Sequence, residues 1–195
     1  VMKYKTNPTN PDTDGDGIDD NDEIIYLLNP LDPSDANQDT DNDGLANVLE
    51  FQLGTHYKKG DTDDDGMPDG WEYKYGLKLL EKDGNEDIDS DGLTNLQEYH
   101  EDLDPKNPDA DGDSVLDGKD NCPHHPNTDQ SDVNGDGFGD ACDMDADSDE
   151  YIKGPDCDDT NPKINQGQKE IPYDGLDNDC LPQTPDDDID QDGYN

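Results

Sequence analysis

Residues 61–72 read Asp61-Thr62-Asp63-Asp64-Asp65-Gly66-Met67-Pro68-Asp69-Gly70-Trp71-Glu72, and this dodecamer decides the fold. Acids stand at its first, third, fifth, ninth and twelfth positions, with glycine at the sixth and an apolar residue at the seventh. Alternate carboxylates on a tightly wound loop converge on one point, where a hard cation of calcium's size takes six to eight oxygens at ~2.3–2.6 Å. Glycine permits the sharp turn. The seventh residue offers only its backbone carbonyl, so its side chain is free to be apolar, and the twelfth acid closes the shell.

Outward from this stretch the pattern recurs. Upstream lie Asp12, Asp14, Asp16, Ile18, Asp20 and Glu23, then Asp39, Asp41, Asp43, Leu45, Asn47 and Glu50. Downstream come Asp87, Asp89, Asp91, Leu93, Asn95 and Glu98, then Asp109, Asp111, Asp113, Val115, Asp117 and Asp120, with Ser114 in the glycine position. A sixth copy has Asp132, Asn134, Asp136, Phe138, Asp140 and Asp143. The seventh is degraded: Asp145, Asp147, Asp149, Tyr151 and Asp156 are in register, but Glu150 replaces glycine and Lys153 holds the ninth position. An eighth opens with Asp188, Asp190 and Asp192. Copies starting at residues 12, 39, 61, 87, 109 and 132 form a tandem array.

The array gives meaning to an extreme composition. The 195 residues carry 55 Asp plus Glu against 12 Lys plus Arg, a net charge of -43, and only 26% are hydrophobic, against roughly 45–50% in an ordinary domain. Such a chain has no conventional core and reads, by composition alone, as disordered. Yet thirty-four of the 55 acids occupy loop positions. A solvated acidic tail gives no reason for an apolar seventh residue in all eight copies or glycine at the sixth in six. Order is therefore expected with metal bound, and repulsion among uncompensated carboxylates without it. Nucleic acid is excluded as a partner by the same charge. The longest apolar run, Ile24-Ile25-Tyr26-Leu27-Leu28, is far short of the ~20 residues that span a bilayer. No enzyme is expected either, because a catalytic pocket needs apolar walls that this chain cannot build.

A single copy would suggest an EF-hand, but that unit needs an amphipathic helix entering each loop. The segments before the loops, such as 4–11 and 104–108, are proline-punctuated and read as extended chain. The eighth position, apolar in EF-hands, is Asp19, Ala46, Pro68, Thr94, Leu116 and Gly139. Residues 109–143, with Asp120-Asn121-Cys122-Pro123, Asn127, Gln130 and Gly139-Asp140-Ala141-Cys142-Asp143, resemble the thrombospondin type 3 repeat. Residues 12–108 resemble its cysteine-free prokaryotic form, in which a loop is followed by a short helix and an Asn-Pro or Asp-Pro exit. From Pro155 the texture changes: Asp156-Cys157-Asp158-Asp159-Thr160-Asn161-Pro162 and Asp174-Gly175-Leu176-Asp177-Asn178-Asp179-Cys180 look like a short metal-binding motif of secreted bacterial surface proteins, one that often has a cysteine where Tyr173 stands.

These resemblances imply an irregular, elongated, calcium-organised array: about eight or more Ca²⁺, sometimes more than one per repeat, in place of a core, with short helices between Asp-rich loops and little or no sheet. They also imply an extracellular or cell-surface structural or adhesive role. Four segments follow: cysteine-free repeats at 1–108, a cysteine-containing repeat at 109–143, a degraded loop plus the short motif at 144–180, and a further repeat starting at 181–195. Short helices are expected at 22–28, 46–53, 69–75 and 94–100, with Ile24, Val48, Phe51, Trp71, Tyr73, Leu96 and Tyr99 packing between repeats rather than forming a ligand platform. Of three pairings, Cys122 with Cys142 and Cys157 with Cys180 close the most local loops, and disulfides point to an oxidising compartment. His124 and His125 beside Cys122 read as exposed loop residues rather than a transition-metal site. Residues 3–8 resemble the exit of a preceding repeat and Asn195 interrupts a loop, so a longer parent chain or other copies of this chain are the expected neighbours. The competing reading is an acidic calcium reservoir or mineral-interacting protein, in which ion load matters and shape does not.

Overall fold

The computed structural model describes residues 5–171 and 174–181; the eighth loop, with Asp188, Asp190 and Asp192, lies outside them, as does Tyr173. Among the described residues there are four seven-residue helices, α1 (Asp20–Tyr26), α2 (Asn47–Leu53), α3 (Asp69–Tyr75) and α4 (Asn95–Glu101). Single 3-10 turns form at Asp35–Asn37 and Asp117–Lys119, and one isolated bridge, Lys153 to Asp156, stands where a sheet would be. The fold is irregular and loop-rich. Two compact units make up the chain, Val1–Asn107 and Pro108–Asn195.

Each helix grows out of a loop. The residue before it is extended, the ninth loop position opens it, and the twelfth-position glutamate falls in its first turn, at Glu23, Glu50, Glu72 and Glu98. Seven residues make a marginal helix alone. The C-terminal ends of all four and the N-terminal end of α4 are tied down. Thr94 builds a capping box with Gln97 at the start of α4, and all four helices end in a left-handed residue: Leu27, Gly54, Gly76 or Asp102. The next amide returns to the carbonyl of that same glutamate, at 2.8 Å from Leu28, 3.1 Å from Thr55, 2.9 Å from Leu77 and 2.9 Å from Leu103, the closure of a Schellman motif. The apolar run predicts that α1 reaches Leu28, but the helix stops at Tyr26, because Leu27 turns left-handed with φ 63°.

Side-chain packing groups the loops of the first unit in pairs. Tyr26 of α1 meets Phe51 of α2 edge-on with centroids 5.1 Å apart, and Tyr57 meets both rings. Trp71 of α3 lies 5.2 Å from Tyr99 of α4 and 4.9 Å from Tyr75. Lys58 Nζ donates to the carbonyl of Tyr26 at 3.2 Å, and Lys106 Nζ donates to those of Tyr75 and Gly76, so each cation caps the C-terminus of the first helix of its pair. Tyr73, expected in a cluster, is 46% exposed; two residues on from Trp71, it lies on the opposite side of the helix from the ring that meets Tyr99. Corresponding residues recur after 48 or 49 positions, as with Lys58 and Lys106, Asn47 and Asn95, or Asp12 and Asp61. The structural period is thus two loops.

Burial takes in acids and amides as well as apolar side chains. Ile18, Leu45 and Met67 at the seventh position are buried, but so are Glu23, Glu50, Glu72, Asn47, Asn95 and Asp69. Close approach of one pair to the next depends on Gly70, where an added Cβ would run into the Asp43 carbonyl and the Gly44 Cα. Replacing Gly70 by alanine is expected to destabilise the metal-loaded first unit by about 1–3 kcal/mol, as overpacking does. Thermal melting in calcium would measure it, and an unchanged midpoint would refute the close approach.

Candidate metal centres

Every described loop is wound by its own carboxylates. The first-position aspartate accepts from the amide of the fourth residue and from that of the sixth: Asp12 from Gly15 (2.6 Å) and Gly17 (3.1 Å), Asp39 from Asn42 and Gly44, Asp61 from Asp64 and Gly66. Asp87, Asp109 and Asp132 do the same. The fifth-position aspartate accepts from the seventh amide, as Asp16 does from Ile18 (2.9 Å) and Asp91 from Leu93 (2.6 Å). The degraded seventh loop winds the same way, with Asp145 accepting from Glu150 and Asp149 from Tyr151. Its Glu150, like Ser114 of the fifth loop, takes the positive φ that glycine takes elsewhere, 79° and 81° respectively.

The remaining carboxylate oxygens turn inward. Ligand atoms of Asp12, Asp14 and Asp16 lie within 4.8 Å of one another, as do those of Asp39, Asp41 and Asp43, and of Asp61, Asp63 and Asp65. Both oxygens of Asp14, Asp41, Asp63, Glu23, Glu50 and Glu72 are buried with no hydrogen-bond donor among the described residues. Burying a carboxylate without a partner costs several kcal/mol, and here the cost recurs in every described loop except the sixth. Burial, reinforced by Asp14 and Asp16, pushes Glu23 up to about 8; burial with Asp41 and Asp43 pushes Glu50 to about 8; burial with Asp63 and Asp65 pushes Glu72 to about 9. A divalent cation removes the conflict. The donors are oxygens throughout, which suits a hard ion.

The ninth position ties down the start of its own loop or the linker before it. Asp20 spends one oxygen on the Thr13 amide (2.7 Å) and the other on the Thr13 hydroxyl (2.8 Å), and Asp69 holds Thr62 in the same way. Asp117 accepts from Ala110 and Asp140 from Val133. Asn47 and Asn95 instead donate to the carbonyls of Asp35 and Asp83. In the sixth loop Asn134 turns its amide nitrogen toward Asp136 (3.2 Å) and Asp143 (3.1 Å), where other loops present a carboxylate. Phe138 is exposed, so only its backbone serves the loop.

Three acids outside the twelve-residue pattern reach the clusters: Asp35, grouped with Asp16 and Glu23; Asp83, whose charge raises Glu72; and Asp159, beside Asp156 in the second unit. A signal for the first two exists in the sequence, since they too are 48 residues apart.

In the second unit, two disulfides join Cys122 to Cys142 and Cys157 to Cys180, with Cα atoms 5.7 and 5.8 Å apart, and no cysteine is free. Around the first, Asn127 donates to the Asn121 side chain (2.6 Å), Gln130 to Asp120 (2.8 Å), and the Gly139 amide to the Asn121 carbonyl (3.0 Å). Beside the second, buried Asn178 accepts from Ile171 and donates its backbone amide to Glu170 (3.0 Å). Disulfides of this kind fit an oxidising compartment. No described helix is long and apolar enough to cross a membrane.

Fold and clusters define a class: a loop-rich tandem-repeat chain whose acidic centres are suited to metal ions. Comparison with known families points the same way. The family model titled Cu-binding MopE, described as "Putative metal-binding motif", matches residues 4–21 and 156–192, which take in most of the first loop and the second disulfide. No curated protein matches the chain.

Proposed function

We propose that the loops bind calcium and that the bound ions order the chain as a structural or adhesive segment of an extracellular or cell-surface protein. The observation that carries this reading is the recurrence, loop after loop, of buried carboxylate oxygens without donors. Six to eight hard oxygens at flexible geometry describe calcium rather than magnesium, which demands a small octahedron and keeps its waters. Copper, the metal in the matched family's title, prefers imidazole and sulfur; all four cysteines are paired, and His56 is stacked on Tyr57. The likeness of residues 109–143 to thrombospondin type 3 repeats supports both the ion and the setting.

The role proposed is a structural one. Calorimetric titration with Ca²⁺, Mg²⁺ and Cu²⁺ tests the reading. Calcium is expected to bind with a Kd of ~10⁻⁴–10⁻³ M, the range of extracellular modules, with Mg²⁺ and Cu²⁺ failing to saturate the same sites. Electron microscopy of the calcium-loaded and chelated chain then separates a spacer from an ion reservoir: length and stiffness indifferent to chelation would defeat the spacer.

A further inference from the structure

The sixth loop departs from the others at its third position, where Asn134 stands in place of the aspartate found in the rest, and Asn134 is followed by Gly135. This is the one Asn-Gly step in the 195 residues. At such a step the side-chain amide is most open to attack by the next backbone nitrogen, because glycine sets no Cβ beside the reacting atoms. Gly135 is exposed with φ 74°, and a Cβ built there meets nothing within 4 Å. Packing does not shield it; hydrogen bonds alone do.

In the wound loop both reacting groups are held. The Gly135 amide donates to Asp132 Oδ1 at 2.7 Å. Asn134 Oδ1 accepts from the Asp136 amide at 3.0 Å. Its Nδ2 donates to Asp136 Oδ2 (3.2 Å), Asp143 Oδ2 (3.1 Å), the Asp145 carbonyl (3.4 Å) and Ser148 Oγ (3.0 Å). Ring closure needs the Gly135 nitrogen released from Asp132 and the side-chain amide turned onto it, so these contacts must open first. Asp132, Asp136 and Asp143 repel one another when no cation offsets them, and loss of the ion is what would open the loop.

We propose that Asn134 is a deamidation site guarded by the sixth loop's ion, so that a chain which has lost calcium is marked at this loop. The proposal rests on the loops being calcium sites. The Gly135 nitrogen loses its proton to solvent base and bonds to Asn134 Cγ; the Cγ–Nδ2 bond breaks, and ammonia leaves after taking a proton back from solvent. Water then opens the cyclic imide. Opening at Cγ gives aspartate, and opening at the main-chain carbonyl gives isoaspartate, so no oxidant or partner is needed. Either product puts an acceptor where a donor faced four acceptors. Aspartate supplies the acid that the other loops have at this position, and isoaspartate lengthens the backbone by one methylene and shifts the loop's register.

The test incubates the full-length chain at pH 8 in calcium, in chelator, and in chelator with urea, and follows each asparagine by peptide mapping with mass spectrometry. Asp-Gly steps can isomerise but leave the mass unchanged, so conversion of amide to acid isolates the asparagines. Asn134 is expected to convert about tenfold faster in chelator than in calcium, as a reaction that requires local opening does, nearly as fast as in urea, and ahead of every other asparagine. The variant Asn134→Gln is expected to form no acid at this position over the same period. Equal rates in all three solutions overturn the guard and leave the calcium reading untouched. Slow conversion in both calcium and chelator, with fast conversion in urea, also overturns it, and counts against the calcium reading because the loop then stays wound without an ion. An Asn134 no faster than the other asparagines in urea overturns the modification site itself.

Discussion

Chelation of calcium at pH 8 is expected to abolish most of the far-UV helical signal, because nothing else in the chain offsets the burial of its carboxylates. The four helices are seven residues long, too short to persist alone, and each has in its first turn a fully buried glutamate. Without an ion those glutamates must either hold a proton or leave the interior. The direction with pH follows from their raised values, about 8 for Glu23 and Glu50 and about 9 for Glu72, against an ordinary 4.5. A carboxyl whose folded value is raised favours the fold below its unfolded value and ceases to as pH climbs through the folded one. The chelated chain is therefore expected to recover helix between pH 5 and 4 and to be least ordered near pH 9. The calcium-loaded chain is expected to hold its signal from pH 6 to 9. Dichroism at pH 4 and pH 9, with and without chelator, measures both; a chelated chain equally ordered at those two values would contradict the assignment of these carboxylates to the interior.

The second large effect concerns the unit from Pro108 on, which has a 3-10 turn but no α-helix among its described residues. There the Cys122–Cys142 bond closes a loop across 20 positions of sequence, and the Cys157–Cys180 bond one across 23. Each constrains the unfolded chain by about 3 kcal/mol on the loop-entropy model. Cys122 is 1% exposed, with Sγ 3.2 Å from the Gly139 carbonyl, and it holds together the side-chain network of Asn121, Asn127 and Gln130. Replacing Cys122 and Cys142 by serine is expected to lower the stability of the calcium-loaded unit by about that amount and to raise the calcium concentration needed to fold it several-fold. Chemical denaturation at fixed calcium reads the first quantity, a calcium titration the second. Variants as stable as the parent would place the burden of this unit on its ions alone.

Much of this architecture is legible in the order of the residues. A loop whose ligands, glycine and apolar seventh residue are spaced by the geometry of one ion announces itself in every copy, and the helices after it follow from where the twelfth acid must sit. Gly54 and Gly76 end their helices where the sequence says they should; Leu27 and Asp102 do not look like stops, because a left-handed leucine or aspartate has no letter of its own. The same holds at the fourth loop position, where Gly15, Asn42, Asp64 and Ser90 all take positive φ and share no residue type. Asp35 and Asp83 are hard to pick out for another reason. In a chain with 55 acids, two more outside the motif carry no information until the 48-residue spacing is noticed. Spacing places the ninth-position acids in their loops but does not reveal that Asp20 and Asp69 hold Thr13 and Thr62 of those same loops.

The grip of Lys58 and Lys106 on helices some thirty residues upstream has a consequence for how such a chain can change length. A cassette of two loops carries its own lysine clamp, linker acid and asparagine, so adding or deleting whole cassettes leaves every splice chemically identical. Loss of a single loop would set an asparagine after a short linker or an aspartate after a long one, and would strand a lysine from its helix end. Insertions and deletions are thus expected to be tolerated in steps of 48 or 49 residues and penalised in steps of 22 to 27.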